Sequence, residues 1–163
     1  MDNLKSDLLN LLTENARYDY DKLAKATGKT RAEVARAIEE LETDGVIVKY
    51  SAIVNTEKLD DKGVQALIEV KVAPQKLNGF ESYAEEIYRF PEVRSLYLMS
   101  GGFDLAVFVD GKDITDVAKF VAEKLSVIDG ITGVATHFIL KKYKIEGQIA
   151  KRPEEIERQI IQA

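Results

Sequence analysis

Residues 30–50, TRAEVARAIEELETDGVIVKY, combine small, basic and acidic side chains at helical spacing. With residues placed about 100° apart around a helix, one stripe faces away from the apolar positions. That outward stripe holds Ala32, Arg36 and Glu39, with Ala35 and Glu40 beside them. Small and basic residues therefore occupy the first two turns, where recognition helices usually approach the edges of DNA bases. The chemistry that this spacing could support is contact with base pairs and phosphates.

The acidic residues of the same segment argue against that chemistry, because DNA is itself a polyanion. Glu33 has a local explanation, since Thr30-x-x-Glu33 is a capping box in which each side chain bonds a backbone amide of the other residue. Glu40 lies toward the flank of the predicted helix and Glu42 toward its far end. Glu39 lies in the outward stripe, where it could accept a hydrogen bond from cytosine or repel phosphate.

Three predicted helices within residues 1–50 position this segment. Leucines at helical spacing give the first helix an apolar face: Leu4, Leu8, Leu11 and Leu12. The second helix spans Tyr20 to Ala26 and ends at Thr27-Gly28, where a left-handed residue is tolerated. The third begins at Thr30 and ends at Asp44-Gly45. Its inward stripe is apolar: Val34, Ala37, Ile38 and Leu41. The segments VIVKY and SAIVN that follow resemble two strands flanking a turn or wing.

From Val64 onward, strands and helices alternate in the pattern. VQALIEVKV alternates like a strand, and GFESYAEEIYRF has helical spacing that ends at Pro91. VRSLYLMS and FDLAVFV are two strands joined through Gly101-Gly102. Residues 113–128 form a second helix, and VATHFILKKYK forms a last strand. The order β-α-β-β-α-β is that of a ferredoxin-like domain.

The predicted fold is an N-terminal all-α (winged) helix-turn-helix domain followed by a C-terminal α+β ferredoxin-like βαββαβ domain. The predicted boundaries are residues 1–50 for the helix-turn-helix domain, 51–63 for a linker, 64–144 for the ferredoxin-like domain and 145–163 for a C-terminal extension. In that extension, Pro153 suits the first turn of a short helix, and a frayed end is the alternative.

Composition excludes several classes of protein. The net charge is −5, and the first 50 residues carry 8 basic and 10 acidic residues against 15 and 18 in the remainder. Neither part has the positive surplus that by itself indicates nucleic-acid binding. The absence of cysteine excludes disulfides and thiolate metal sites. No apolar run approaches the roughly 20 residues of a membrane span, and MDNLKSDLLNLL is unlike a secretory signal. We therefore expect a cytoplasmic protein with no membrane partner, cofactor or metal.

Four stretches together carry a resemblance to a known family. They are LKSDLLNLL; LAKATGKTRAEVARAIEELETDGVIVKYSAIVN, with its LE-x-x-G-V-I core; LMSGGFDLAVFV; and DGITGVATHFIL. In this order and spacing the chain resembles the Lrp/AsnC family, the feast/famine transcription regulators that sense amino acids. The resemblance covers roughly residues 2–144.

The resemblance implies an effector domain that dimerises by sheet packing, with dimers assembling into tetramers or octamers. It also implies that an amino acid binds near a glycine-aspartate hairpin, at contacts between dimers. The matching positions are Gly101, Gly102, Phe103 and Asp104, with Thr132, Val134, Thr136 and His137 from the last strand and its approach. The glycines would let a carboxylate approach backbone amides, and Asp104 would accept from an α-ammonium. Met99, Phe103 and Val134 would line a side-chain pocket, although threonine is common in the family where Val134 stands.

Each of these positions also has a structural interpretation. Gly101-Gly102 could be only a hairpin turn that needs positive φ, and Asp104 could be only a cap of that turn. His137, the one histidine, is predicted to be a half-buried strand residue rather than a catalyst.

For DNA contact, the resemblance implies two adjacent arginines in the recognition helix, of which Arg36 matches the first while Ala37 stands at the second. The candidates for phosphate contact are Lys25, Lys29, Arg31, Arg36 and Lys49. With few such contacts, we expect binding to double-stranded promoter DNA to be weaker, more salt-sensitive and more dependent on oligomerisation than in basic relatives.

Three functions follow from these features. The first is a DNA-binding regulator that responds to a small effector, by implication an amino acid. The second is a ligand-sensing oligomer that has lost DNA binding. The third is an enzyme, because sirohaem decarboxylases resemble the same two-domain layout. With no cysteine, one histidine and no HExxH or nucleophile-elbow motif, we predict no catalytic residues and no enzyme.

Overall fold

In a computed structural model, residues 3–60, 63–73 and 79–149 are described, and the chain divides into two compact units between Val54 and Asn55. Each unit has its own hydrophobic core. The short helix predicted from Pro153 lies outside the described residues. Within the described ranges, no helix is long and apolar enough to cross a membrane.

The first unit contains the three predicted helices, α1 (Asn3–Glu14), α2 (Tyr20–Thr27) and α3 (Arg31–Thr43). α2 begins at Asp19, whose Oδ1 accepts from the Lys22 amide at 2.7 Å, and ends at Gly28 with φ of 65°. The predicted apolar stripes meet in one core of Leu8, Leu23, Val34, Ala37 and Ile38. Because each stripe alone would expose its apolar face, the three helices stabilise one another by this burial.

The wing strands predicted in VIVKY and SAIVN are wrong: residues 46–55 are described and form no strand. The Val46 and Ile47 amides donate instead to the Leu41 carbonyl at the end of α3, at 2.9 and 3.0 Å. Val48 is 88% exposed. An alternating apolar pattern needs a second strand for its backbone hydrogen bonds, and this segment has no such partner among the described residues.

The second unit begins with a short 3₁₀ turn (Thr56–Lys58) and follows the predicted βαββαβ order. Its elements are β1 (Val64–Val72), α4 (Glu81–Ile87), β2 (Val93–Leu98), β3 (Leu105–Gly111), α5 (Ile114–Phe120) and β4 (Ile131–Phe138). The strands form one antiparallel sheet in the order β2-β3-β1-β4. The predicted α+β arrangement is confirmed.

Several element boundaries differ from the prediction. The helix predicted over residues 113–128 is α5 followed by a π-helical turn, Val121–Leu125. The last strand ends at Phe138 instead of continuing to Lys144, and a two-stranded hairpin follows, β5 (Lys144–Ile145) with β6 (Gln148–Ile149). Its turn has positive φ at both positions, 44° at Glu146 and 80° at Gly147. This matches a type I′ turn, for which Glu-Gly is a weaker sequence signal than Asn-Gly.

The sheet has one covered face and one uncovered face within this unit. Alternate residues of β1 and β3, among them Ile68, Val70 and Val107, are buried against Ile87 of α4 and Phe120 of α5. Because successive strand residues point to opposite faces, the other face carries Leu67 and Glu69 of β1 with Ala106 and Phe108 of β3. No helix of the described part of this unit packs on that face.

Candidate functional site

Helix α3 begins with the predicted capping box. The Thr30 hydroxyl accepts from the Glu33 amide at 3.3 Å, and Glu33 Oε2 accepts from the Thr30 amide at 2.8 Å and from the Thr30 hydroxyl at 2.7 Å. The hydrogen bond from the Thr30 hydroxyl, and to a lesser extent the one from its amide, lowers the pKa of Glu33 below its usual value. The Glu33 carboxylate therefore caps the start of the helix.

The outward stripe of α3 is placed as predicted. Ala32, Arg36 and Glu39 are exposed, and Ala35 is half-buried. Ala37, which stands where the family often has a second arginine, is 6% exposed and belongs to the core with Leu8 and Leu23. An arginine at this position would place a charge in that core. Alanine at position 37 is thus a packing residue in this helix.

The arginines of the candidate site are already near carboxylates. Arg36 Nε lies 3.5 Å from Glu40 Oε1, and Lys5 Nζ lies 2.9 Å from Glu40 Oε2. The hydrogen bond from Lys5, followed by its charge, lowers the pKa of Glu40. Arg31 Nη1 lies 3.7 Å from Asp21 Oδ2. The two arginine pairs are solvent-exposed and individually weak, so a phosphate could replace the carboxylate at either arginine.

The three remaining cations, Lys25, Lys29 and Lys49, are exposed, and none has a carboxylate within 4.0 Å in the part of the chain that the structure describes. Glu39 is exposed and makes no ion pair or side-chain hydrogen bond there either. Glu42 accepts from the Tyr50 hydroxyl at 2.9 Å. Partial burial, with this hydrogen bond, raises the pKa of Tyr50 to about 12.

The hairpin between β2 and β3 is closed by the Met99 amide, which donates to the Asp104 carbonyl at 2.8 Å. Gly101 has φ of 143°, which L side chains rarely adopt, whereas Gly102 has no left-handed φ. A Cβ added at either glycine would meet no atom within 4 Å. The turn therefore requires glycine at position 101 but not at position 102, so the structural interpretation accounts for only one of the two.

The structural interpretation of Asp104 as a cap of its own turn is wrong, because its side chain bonds a neighbouring strand instead. Its Oδ2 accepts from the Val72 amide of β1 at 2.9 Å, and its backbone amide donates to the Val70 carbonyl at 3.0 Å. The carboxylate thus ties the hairpin to the neighbouring strand. Its second oxygen, Oδ1, makes no hydrogen bond to the residues that the structure describes.

The structure brings some, not all, of the predicted effector residues together. Thr132 Oγ1 donates to the Lys71 carbonyl at 3.2 Å, and Val134 is opposite Val70, at the same end of the sheet as Asp104. Val134 is half-buried and packs against the hydrophobic core, so its role in lining a side-chain pocket stays a prediction. Phe103 is half-buried and Met99 is exposed.

Thr136 and His137 lie further along β4, opposite Ile68 and Leu67. Strands rise about 3.3 Å per residue, so His137 is roughly 10 Å from the position opposite Val70. Its Nε2 lies 3.3 Å from Glu69 Oε1, and its side chain is 55% exposed rather than half-buried. His137 therefore belongs to the uncovered sheet face and not to the hairpin.

An apolar groove of about 350 Å³ next to the hairpin was not predicted. It lies between α4 and β2. Most of its walls are apolar, formed by Phe80, Ala84, Tyr88, Val93, Leu96, Leu98 and Leu105, and Glu81, Arg94 and Ser95 also line it. Leu98 and Leu105 are the residues that immediately flank the hairpin loop. Helix and strand patterns each marked these residues as apolar, but only their packing leaves a space between them. Among the described residues there is no cluster of three histidine or acidic side chains that could hold a metal ion.

Comparison with known proteins assigns both units. Residues 1–48 match the family of winged helix-turn-helix DNA-binding domains, and residues 65–149 match the Lrp/AsnC ligand binding domain. The chain is 44% identical over 158 residues to the HTH-type transcriptional regulator YugG of Bacillus subtilis, covering 96% of this chain and 95% of that protein. It is 34% identical over 137 residues to LrpA of Pyrococcus abyssi, covering 84% and 94%.

Solved structures agree with this assignment. The chain is similar to a transcriptional regulator of Neisseria meningitidis in complex with L-Met, with a TM-score of 0.71, 26% identity, and coverage of 89% of this chain and 93% of that one. AsnC of Escherichia coli, at 23% identity and a TM-score of 0.68 over 89% and 95%, has the same fold. The relatives are named as transcriptional regulators, which agrees with a protein that is not an enzyme. The chain belongs to the Lrp/AsnC family and is a transcriptional regulator with a helix-turn-helix and a ligand-binding domain.

Proposed function

We propose that the protein binds specific promoter DNA through α3 and its surroundings, and that an amino acid bound at the Gly101–Asp104 hairpin changes its assembly or DNA affinity. The helix-turn-helix domain of residues 1–50 would hold the DNA site, and the ferredoxin-like domain of residues 64–144 would hold the effector and the oligomer contacts. One observation supports the proposed effector site at the hairpin. Neither backbone conformation nor packing among the described residues requires glycine at position 102.

DNA contact would divide between base edges and phosphates. Ala32, Ala35, Arg36 and Glu39 form the exposed part of the recognition helix, and Lys25, Lys29, Arg31 and Lys49 surround it. Each phosphate contact contributes about 0.9 to the slope of log affinity against log salt. Because Arg31 and Arg36 already neighbour Asp21 and Glu40, we expect low affinity for each helix-turn-helix domain and a dependence on several linked domains.

Effector contact would use the free side of the hairpin. A ligand carboxylate could approach the backbone at Gly102 because no Cβ stands there. Asp104 would use Oδ2 to hold Val72 and Oδ1 to accept from an α-ammonium. The apolar groove beside Leu98 and Leu105 would accommodate an apolar side chain. The Neisseria meningitidis relative in complex with L-Met supports an amino acid as the effector class.

Assembly would use the uncovered face of the sheet, as expected for the family. That face presents Leu67, Phe108 and Tyr97, and the last two rings make an edge-to-face contact with centroids 6.0 Å apart. Dimers formed there would assemble into tetramers or octamers with the hairpins between dimers. An effector between dimers can favour one oligomer only by binding it better than another. Sedimentation of the intact chain, with and without a pool of the twenty amino acids, measures this shift.

The experiment that tests the proposal is fluorescence anisotropy with labelled DNA from upstream of the protein's own gene. Binding affinity is measured over a range of salt concentrations, with and without the pool of twenty amino acids. We expect saturable binding whose salt slope falls by about 2 per head in an Arg31→Ala/Arg36→Ala variant. A Lys112→Ala/Lys119→Ala variant, which removes two exposed cations from the other unit, is the matched control and should keep the wild-type slope. A change of affinity with the pool tests the effector half.

A second candidate function is a ligand-controlled assembly without DNA. It is favoured by the carboxylates that already neighbour Arg31 and Arg36 and by the exposed Glu39 on the recognition helix. No binding at about 50 mM salt, where phosphate contacts are strongest, would support it. The pool should then still change the oligomer in sedimentation.

A further inference from the structure

The chain carries a second concentration of positive charge, in the C-terminal hairpin. We define this basic hairpin as residues 140–149, LKKYKIEGQI, which include β5, β6 and their turn. Three lysines stand within four positions, Lys141, Lys142 and Lys144, against one acid, Glu146. The segment therefore has a net charge of +2, whereas the whole chain has −5.

The side chains of the basic hairpin are open to solvent. Lys141 and Lys144 are exposed, Lys142 is half-buried, and Tyr143 is 70% exposed. Lys141 Nζ lies 4.9 Å from the centroid of the Tyr143 ring. None of the three lysines has a carboxylate within 4.0 Å among residues 3–60, 63–73 and 79–149. The arginines of α3 are paired with acids, whereas these lysines have no acidic partner among the residues that the structure describes.

We propose that the basic hairpin is a second DNA-contacting surface that binds phosphates without reading sequence. Lysine and tyrosine are both common donors to phosphate oxygens, and lysine is depleted in protein–protein interfaces, which favours DNA over a protein partner. Tyr143 holds the Lys141 side chain over its ring and presents a hydroxyl of its own. This inference rests on the proposed DNA binding by α3 and adds a contact in the other unit.

Backbone hydrogen bonds hold the basic hairpin at Lys144 and directly before Lys141. The register joins Lys144 to Ile149 and Ile145 to Gln148, and the turn is fixed by positive φ at Glu146 and Gly147. The Ile139 amide donates to the Gln65 carbonyl at 2.9 Å, so the chain is anchored to β1 directly before the basic run. Less conformational freedom is then lost when a phosphate binds.

The test is a Lys141→Gln/Lys144→Gln variant of the full chain, measured by anisotropy on promoter DNA and on random-sequence DNA over a range of salt. We expect the slope of log affinity against log salt to fall by about 2, with the same fold-loss on both DNAs, because phosphate contacts carry no sequence information. Lys112→Gln/Lys119→Gln removes two exposed lysines elsewhere in the same unit and should leave the slope unchanged. Circular dichroism melts check that both variants remain folded.

The outcomes separate this inference from the proposed function. If the wild type binds DNA and the hairpin variant keeps the wild-type slope, the inference is overturned while DNA binding by α3 stands. If the control variant loses as much slope as the hairpin variant, the effect is bulk charge and the inference is again overturned. If the wild type does not bind at about 50 mM salt, both proposals fall.

Discussion

Substituting alanine at Gly101 and Gly102 separates the turn from the effector site. Gly101 has φ of 143°, so an alanine there is strained, at a cost of about 1–3 kcal/mol for a disallowed backbone conformation. Gly102 has no left-handed φ and open space where a Cβ would stand. Gly102→Ala should therefore leave stability unchanged or raise it by roughly 0.4–1 kcal/mol, because it restricts the unfolded chain.

The same Gly102→Ala change should weaken effector binding. The new methyl group would stand where the ligand carboxylate is proposed to meet the backbone, and a lost charged hydrogen bond is worth about 1.5–3 kcal/mol. This corresponds to a loss of roughly 10- to 150-fold in affinity, since every 1.4 kcal/mol is about tenfold. Gly101→Ala is the opposite case: its strain should lower the melting temperature by roughly 4–8 °C for each kcal/mol in a unit of this size.

Both variants would be assayed at one protein concentration by urea denaturation and by the thermal shift on adding the twenty amino acids singly. For Gly102→Ala we expect a wild-type urea midpoint and no thermal shift on adding the amino acids. A clearly destabilised Gly102→Ala protein would show that the fold itself requires this glycine. A stable variant with a full ligand shift would show that the effector does not bind at the hairpin.

Three further predictions test individual contacts. Asp104→Asn keeps an acceptor for the Val72 amide, so it should lose effector binding with little loss of stability. Asp104→Ala leaves that amide unpaired and should also lower the free energy of unfolding by about 1–3 kcal/mol in urea denaturation. Ala37→Arg should unfold or strongly destabilise the helix-turn-helix domain in thermal melts, because position 37 is buried in its core. A stable variant with stronger DNA binding would refute that placement. The Lys124 hydrogen bond lowers the pKa of Glu92, so this pair stabilises the fold above the usual pKa of a glutamate and loses its effect as pH falls through the folded pKa. Lys124→Met should therefore lower the free energy of unfolding by about 1 kcal/mol at pH 7. Between pH 7 and pH 3 the variant should lose less of its free energy of unfolding than the wild type does. Equal losses in the two proteins, measured by urea denaturation, would contradict this.

Local patterns in the sequence predicted most of the fold correctly. The capping box at Thr30 and Glu33, the left-handed Gly28 and the end of α3 near Asp44 depend on side chains within four residues of one another. The alternation in VQALIEVKV fixed which face of β1 is buried. These features are encoded locally because caps and periodicity involve only neighbouring residues. The predicted wing strands in residues 46–55 were wrong, because a strand also needs a neighbouring strand to pair with, and the local sequence pattern does not reveal one.

The sequence indicated candidate site residues but not their arrangement. The sequence by itself determined the helix-turn-helix and βαββαβ order, the family, and the glycine-aspartate hairpin as a point of interest. Only the tertiary structure decided that Asp104 holds Val72, 32 residues earlier, that Val134 packs inward, and that His137 pairs with Glu69 on another face. Register between distant strands sets these contacts, and it depends on how the whole sheet packs against its helices. A residue's type and neighbours fix what it can bind, but its partner is fixed by the strand that packs beside it.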